Sequence, residues 1–134
     1  MPILLSPALQ LLGRILLAAI FIMGGYGKLG TPGPTTANIA SSGLPFPQLA
    51  YWIAVVVELG GGLAILLGFQ TRLAALVLAG WCIVTGFLFH YQPGVVGQMI
   101  NFNKNLAMAG GFLQLVALGA GAWSLDALLR RRIA

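Results

Sequence analysis

Residues Leu49 to Phe69 read LAYWIAVVVELGGGLAILLGF. As a helix, an apolar run of that length crosses a hydrocarbon core about 30 Å thick. Glu58 stands near its middle and is one of only two acidic side chains in the chain, the other being Asp126. A carboxylate at such depth costs on the order of 2.5–3.5 kcal/mol on insertion scales, so these residues face a bundle interior and find a partner. The run predicts a membrane helix with Glu58 turned inward.

The rest of the chain agrees. Of its 134 residues, 59% are hydrophobic and 7% charged, with a mean hydropathy of +0.96. Soluble domains carry about a quarter charged residues. Four segments approach the length of a spanning helix, approximately 7–26, 48–68, 72–89 and 105–123, so the sequence predicts an all-α integral membrane four-helix bundle forming one domain over residues 1–134. No signal peptide is expected: no basic residue precedes the first apolar run, and no small-residue cleavage site follows it. Cys82 is the single cysteine, which excludes an intrachain disulfide and reads as a small core residue.

Between the second and third segments lies only Gly68-Phe69-Gln70-Thr71, a link short enough for an antiparallel hairpin, with Gly68 ending one helix and Thr71 capping the next. The first link, Lys28 to Pro47, is rich in Gly, Pro, Ser and Thr and leaves room for a short surface helix over Thr35 to Ser42. Of the +5 net charge, the run Arg130, Arg131, Arg132 supplies the largest block. With no basic stripe interleaved with aromatics, nucleic acid is not an expected partner; the lipid bilayer is. The arginine run and Arg72 place both termini in the cytoplasm, with Lys28 and Lys104 on the outer side.

Counting about 1.5 Å of rise per residue puts Glu58 and Gln114 near the midplane and Arg14 roughly 5 Å nearer the inner edge. An arginine side chain spans that gap. Arg14, Glu58 and Gln114 are therefore expected to form a buried polar group and a candidate proton site, the rival reading for Arg14 being a side chain that snorkels to the cytoplasmic surface. Beside Glu58 come Gly60, Gly61 and Gly62, and the fourth segment carries Gly110 and Gly111. Such glycines allow close helix packing, or they leave room beside the carboxylate for a flat ligand. A second polar cluster is expected at the outer mouth: Tyr26, Lys28, His90, Tyr91, Asn103, Lys104 and Asn105. It reads either as an anion or head-group site with His90 as a proton carrier or as ordinary interfacial anchoring. One His and one Cys do not compose a zinc site or bis-His haem ligation, so no metal, no catalytic residue and no cofactor bound by this chain alone are expected.

Arg14, Phe21, Gly24 and Lys28, the stretch Glu58-Leu59-Gly60-Gly61-Gly62-Leu63 with Gly68 and Arg72, and then Lys104-Asn105 and Gly110-Gly111 together resemble the DoxX family of small four-helix membrane proteins. The loop SSGLPFP, residues Ser41 to Pro47, adds to the likeness, which covers nearly the whole chain and is greatest to short bacterial inner-membrane members. The resemblance implies a quinone- or quinol-linked accessory subunit of a membrane redox complex, without independent catalytic activity, in which quinone is the ligand and redox-complex subunits are the partners. Two other functions compete with it on the residues alone: a scaffold that recruits a partner without chemistry, and a small lipid or anion transporter, which four helices would form as a homo-oligomer.

Overall fold

The computed structural model describes residues 6–133, whose regular structure is all helical, with no strand among them. Helix α1 is Pro7–Leu29 and α2 is the short Pro32–Ser41. Next come α3, Pro47–Leu67, and α4, Thr71–His90. Helix α5 is Val96–Leu118 and α6 is Leu125–Ile133. Proline opens each of the first three helices, where its missing N–H costs no hydrogen bond and its fixed φ suits the first turn. The short surface helix expected over Thr35 to Ser42 is α2, begun a turn earlier at Pro32.

The hairpin between α3 and α4 turns on Gly68, whose φ of 68° favours glycine. Phe69 N donates to Ala64 O at 2.9 Å and Gly68 N to Ile65 O at 3.2 Å, the paired bonds of a Schellman stop. A Cβ at Gly68 would also run into Arg14 and Ser124, so both backbone conformation and space require glycine there.

Helices α1, α3 and α4 are long and apolar enough to cross a membrane. Helix α5 has 23 residues but carries Gln98, Asn101, Asn103, Lys104 and Asn105 in its first half. It also begins and ends earlier than the sequence suggested, covering Val96–Leu118 and not 105–123. The polar residues that looked like a loop lie on helical turns, with Asn101, Asn103 and Lys104 exposed. The real breakers are Pro93-Gly94 before the helix and Gly119, at φ 79°, after it.

The core draws on all four long helices: Ala18 and Phe21 from α1, Ile65 from α3, Leu78, Ala79 and Cys82 from α4, and Ala109 and Phe112 from α5. Phe21 and Phe112 meet edge to face with ring centroids 5.3 Å apart. Outside this small core, Leu16, Met23, Val56 and Leu73 are exposed. An apolar exterior of this kind suits lipid as its solvent.

Glycines set how closely the helices approach. A Cβ on Gly25 would stand 2.7 Å from Leu59 N, and one on Gly62 would stand 3.1 Å from Ile22 N. Helices α1 and α3 thus touch backbone to backbone, as small residues permit in membranes. Gly61 meets Leu78 and Gly111 meets Leu17 at 3.1 and 3.2 Å by the same measure, whereas Gly60 and Gly110 face open space.

Candidate functional site

Helix α3 is not regular. Over Val56–Gly60 it widens into a π-helical turn, a local irregularity that recurs at functional sites. Glu58 lies in this turn, 13% exposed, and its Oε2 is 2.8 Å from Lys28 Nζ at the end of α1. Lys28 Nζ also donates to Glu58 Oε1 at 3.1 Å. Glu58 Oε2 is buried and accepts no hydrogen bond of good geometry, so it holds its ammonium partner by charge and keeps an unused lone pair. Gly24 lies alongside; a Cβ there would be 3.4 Å from Glu58 Oε1. Lys28 is held in place in turn, because Tyr51 Oη donates to its carbonyl at 2.8 Å.

The pair sits in the wall of a cavity of about 510 Å³ lined by residues of α1 to α5. Thr35 and Asn38 of α2, His90 of α4 and Asn105 of α5 join it there, and Phe21, Ile39, Trp81 and Phe89 supply apolar wall. A second π-helical turn, Gly86–His90, ends α4 on the same cavity. It is closed by Tyr91 N donating to Gly86 O at 2.9 Å. His90 Nδ1 is 2.8 Å from Gln98 Oε1; with Nδ1 as donor to that acceptor, Nε2 is left to accept. Asn105 Nδ2 donates to Cys82 O at 3.0 Å and Thr85 Oγ1 at 3.3 Å. Two widened turns thus present an acid and an imidazole to one largely apolar space.

The sequence assigned Glu58 the wrong partner. The Gly25–Leu59 and Gly62–Ile22 contacts set the register of α1 against α3, and in that register Arg14 lies level with the end of α3, roughly 15–20 Å along the axis from Glu58. Arg14 does not snorkel either, being 1% exposed. Its Nη1 donates to Ile65 O at 3.3 Å and Leu66 O at 3.2 Å, and its Nη2 donates to Trp123 O. A guanidinium at a helix C-terminus meets the orphan carbonyls and the negative end of the dipole together. Gln114 is exposed on α5, since two residues beyond the buried Phe112 a helix has turned about 200°.

The glycine group divides as well. None of Gly60, Gly61, Gly62, Gly110 or Gly111 lines the cavity; Gly61, Gly62 and Gly111 serve packing. The outer-mouth cluster splits in two: Lys28, His90 and Asn105 line the cavity, while Tyr26, Tyr91, Asn103 and Lys104 are exposed. Tyr91 packs its ring on Phe87 and Phe102 at 5.5 and 5.1 Å. Sequence reasoning passed over Tyr51, Asn38, Thr85 and Gln98, whose roles come from helices that only the tertiary register brings together.

At the opposite end, Asp126 of α6 does more than its isolation suggested. Its Oδ1 accepts from Gln70 N at 2.8 Å and its Oδ2 from Thr71 N at 3.0 Å, capping α4 from another element. Asp126 N donates to Gly68 O at 2.8 Å. Burial works against its charge, yet the N–H groups of Thr71 and Gln70 and the nearby Arg130 leave its carboxyl below the ordinary carboxylate range.

Comparison with known proteins gives this architecture its relatives. The inner membrane protein YqjF of Escherichia coli (strain K12) is 43% identical over 124 residues, covering 91% of this chain and 92% of its own. The inner membrane protein YphA of the same organism is 40% identical over 125 residues, covering 90% and 89%. No solved structure matches the chain. These relatives and the long apolar helices place the protein in the bacterial inner membrane. The DoxX family model matches residues 9–91, a span that holds Arg14, Lys28, the π-turn with Glu58, and His90; the chain belongs to the DoxX family.

Proposed function

We propose that the chain crosses the inner membrane four times with both termini in the cytoplasm, and that it serves a membrane redox complex as a quinone-linked accessory subunit. The observation that carries this reading is the Lys28–Glu58 pair in the wall of a largely apolar cavity of about 510 Å³. A pocket of that size with a few convergent polar groups suits a small flat amphiphile. A quinone ring is apolar on its faces and carries two oxygens that accept hydrogen bonds when oxidised and donate them when reduced. Lys28 Nζ serves as donor to one such oxygen. The Glu58 carboxylate, which borders the cavity, accepts from a quinol hydroxyl and can take its proton. His90 and Asn105 border the same space and orient the ring, while the electrons pass to a partner subunit. The orientation is favoured by charge: Arg14, Arg72 and Arg130 to Arg132 gather at one end, Lys28 and Lys104 at the other.

The test uses purified protein in lipid nanodiscs, titrated with a short-chain quinol kept reduced while Trp81 fluorescence in the cavity wall is followed. Saturable quenching is expected, weakened on the order of tenfold or more in Glu58→Gln, since a hydrogen bond to a charged group contributes roughly 1.5–3 kcal/mol. Unsaturable quenching, or equal affinity in Glu58→Gln, rules the reading out.

A scaffold without chemistry is the second reading, favoured by Arg14. That side chain joins α1, the end of α3 and the segment before α6 through three carbonyls, which is assembly and not ligand chemistry. Under the scaffold reading, replacing Lys28 and Glu58 together by a packed apolar pair keeps cellular function, because a buried ion pair is often exchangeable for apolar packing at no loss of stability. Under the quinone reading the same double variant folds and loses function.

A further inference from the structure

We infer that α6 is an interfacial helix whose exposed face binds the anionic phospholipid head groups of the leaflet on that side. The inference does not depend on what occupies the cavity. Ala127 is buried against the bundle, whereas Leu125, Leu128, Leu129 and Ile133 are exposed. At 100° per residue these four fall within an arc of about 140° centred opposite Ala127. Arg132 falls within that arc, and Arg130 and Arg131 lie to either side of Ala127, so the helix shows a mixed apolar and cationic surface to its surroundings and a small residue to the protein.

Charge completes the pattern. Asp126, the only acid on α6, is turned inward onto Gln70 N and Thr71 N. Arg130, Arg131 and Arg132 are all exposed, and among the described residues none of them has a hydrogen bond or salt bridge to the rest of the chain. The outward surface of α6 is thus apolar and cationic with no acid in it. An amphipathic helix of this composition lies in the plane of a membrane surface, its apolar side chains in the acyl boundary and its arginines among anionic head groups. Its place fits as well: Asp126 N on Gly68 O ties α6 to the α3–α4 hairpin, where two apolar spans end.

Amide hydrogen exchange of the full chain tests this, in nanodiscs of phosphatidylcholine alone and of phosphatidylcholine mixed with phosphatidylglycerol. Each arginine near an anionic surface contributes about a fivefold preference, so exchange over residues 125–133 should slow on the order of tenfold or more in the mixed discs. High salt should erase the difference. Replacing the three arginines by glutamine should abolish it and replacing them by lysine should preserve it, with exchange in α4 reporting that each variant is folded. Equal exchange in the two lipids overturns the inference. So does slowing that survives in the glutamine variant, or that follows protein-to-lipid ratio in place of lipid charge, the sign of contact between copies.

Discussion

Lys28 and Glu58 approach to 2.8 Å at the edge of an apolar cavity, where either charge alone would be costly and where each lowers the cost of the other. Asp126 answers the same problem differently, with two backbone N–H groups in place of a cation. Its carboxyl is held below the ordinary range, so the stability it contributes is complete above the unfolded value of about 3.9 and is lost as pH falls through the lower folded value. Asp126→Asn removes the charge and one of the two acceptor oxygens, so it should cost about 1 kcal/mol near neutral pH. Unfolding midpoints of the two proteins in detergent should converge as pH falls below 4; a gap unchanged at low pH would mean that charge is not what the cap supplies. At this scale the sequence was half legible. Glu58 reads as inward because a lone acid in an apolar run has nowhere else to go. Its partner does not, because choosing between Arg14 and Lys28 needs the offset of α1 against α3, which backbone contacts at Gly25 and Gly62 set and no periodicity displays.

Helix identity was plain from apolar runs and breakers, and α1, α3 and α4 begin and end within about a turn of where composition puts them. Helix α5 was misread because Asn101, Asn103 and Lys104 resemble a loop until they are seen on exposed turns. The π-turns were not legible at all, since a widened turn uses ordinary residues and leaves no mark in hydropathy. The glycines of α3 offer a test at this scale. Gly62→Ala pushes a Cβ to 3.1 Å from Ile22 N and 2.9 Å from Ile22 Cγ1, and overpacking of that kind costs about 1–3 kcal/mol. Gly60→Ala meets open space and gains up to about 1 kcal/mol of helix propensity on aqueous scales. Thermal unfolding of the two variants should move in opposite directions. Equal destabilisation would show that the π-turn itself needs flexibility at Gly60.

Taken whole, the molecule has a polar lock at each end of a small apolar core: Lys28 with Glu58 at the cavity end, and Arg14 with the α3 terminus and the segment before α6 at the other. The second lock bears on how the protein is made. Arg14 is 51 and 52 residues in sequence from Ile65 and Leu66, and 109 from Trp123. During synthesis α1 therefore enters the membrane carrying a cation whose acceptors have not yet been translated, and the last of them arrives only after α5 has been made. A chain cut after Leu118 keeps all the long helices but loses Trp123 O and the Asp126 cap. It should be degraded in cells far faster than the full chain, and Arg14→Leu in the same truncated chain should partly restore its lifetime, as pulse-chase labelling would measure. If truncation leaves turnover unchanged, the arginine is satisfied without its distant partner. If turnover rises as expected, Arg14 acts as a timer on biogenesis, an unmet charge that marks each nascent chain as unfinished until the segment before α6 folds back.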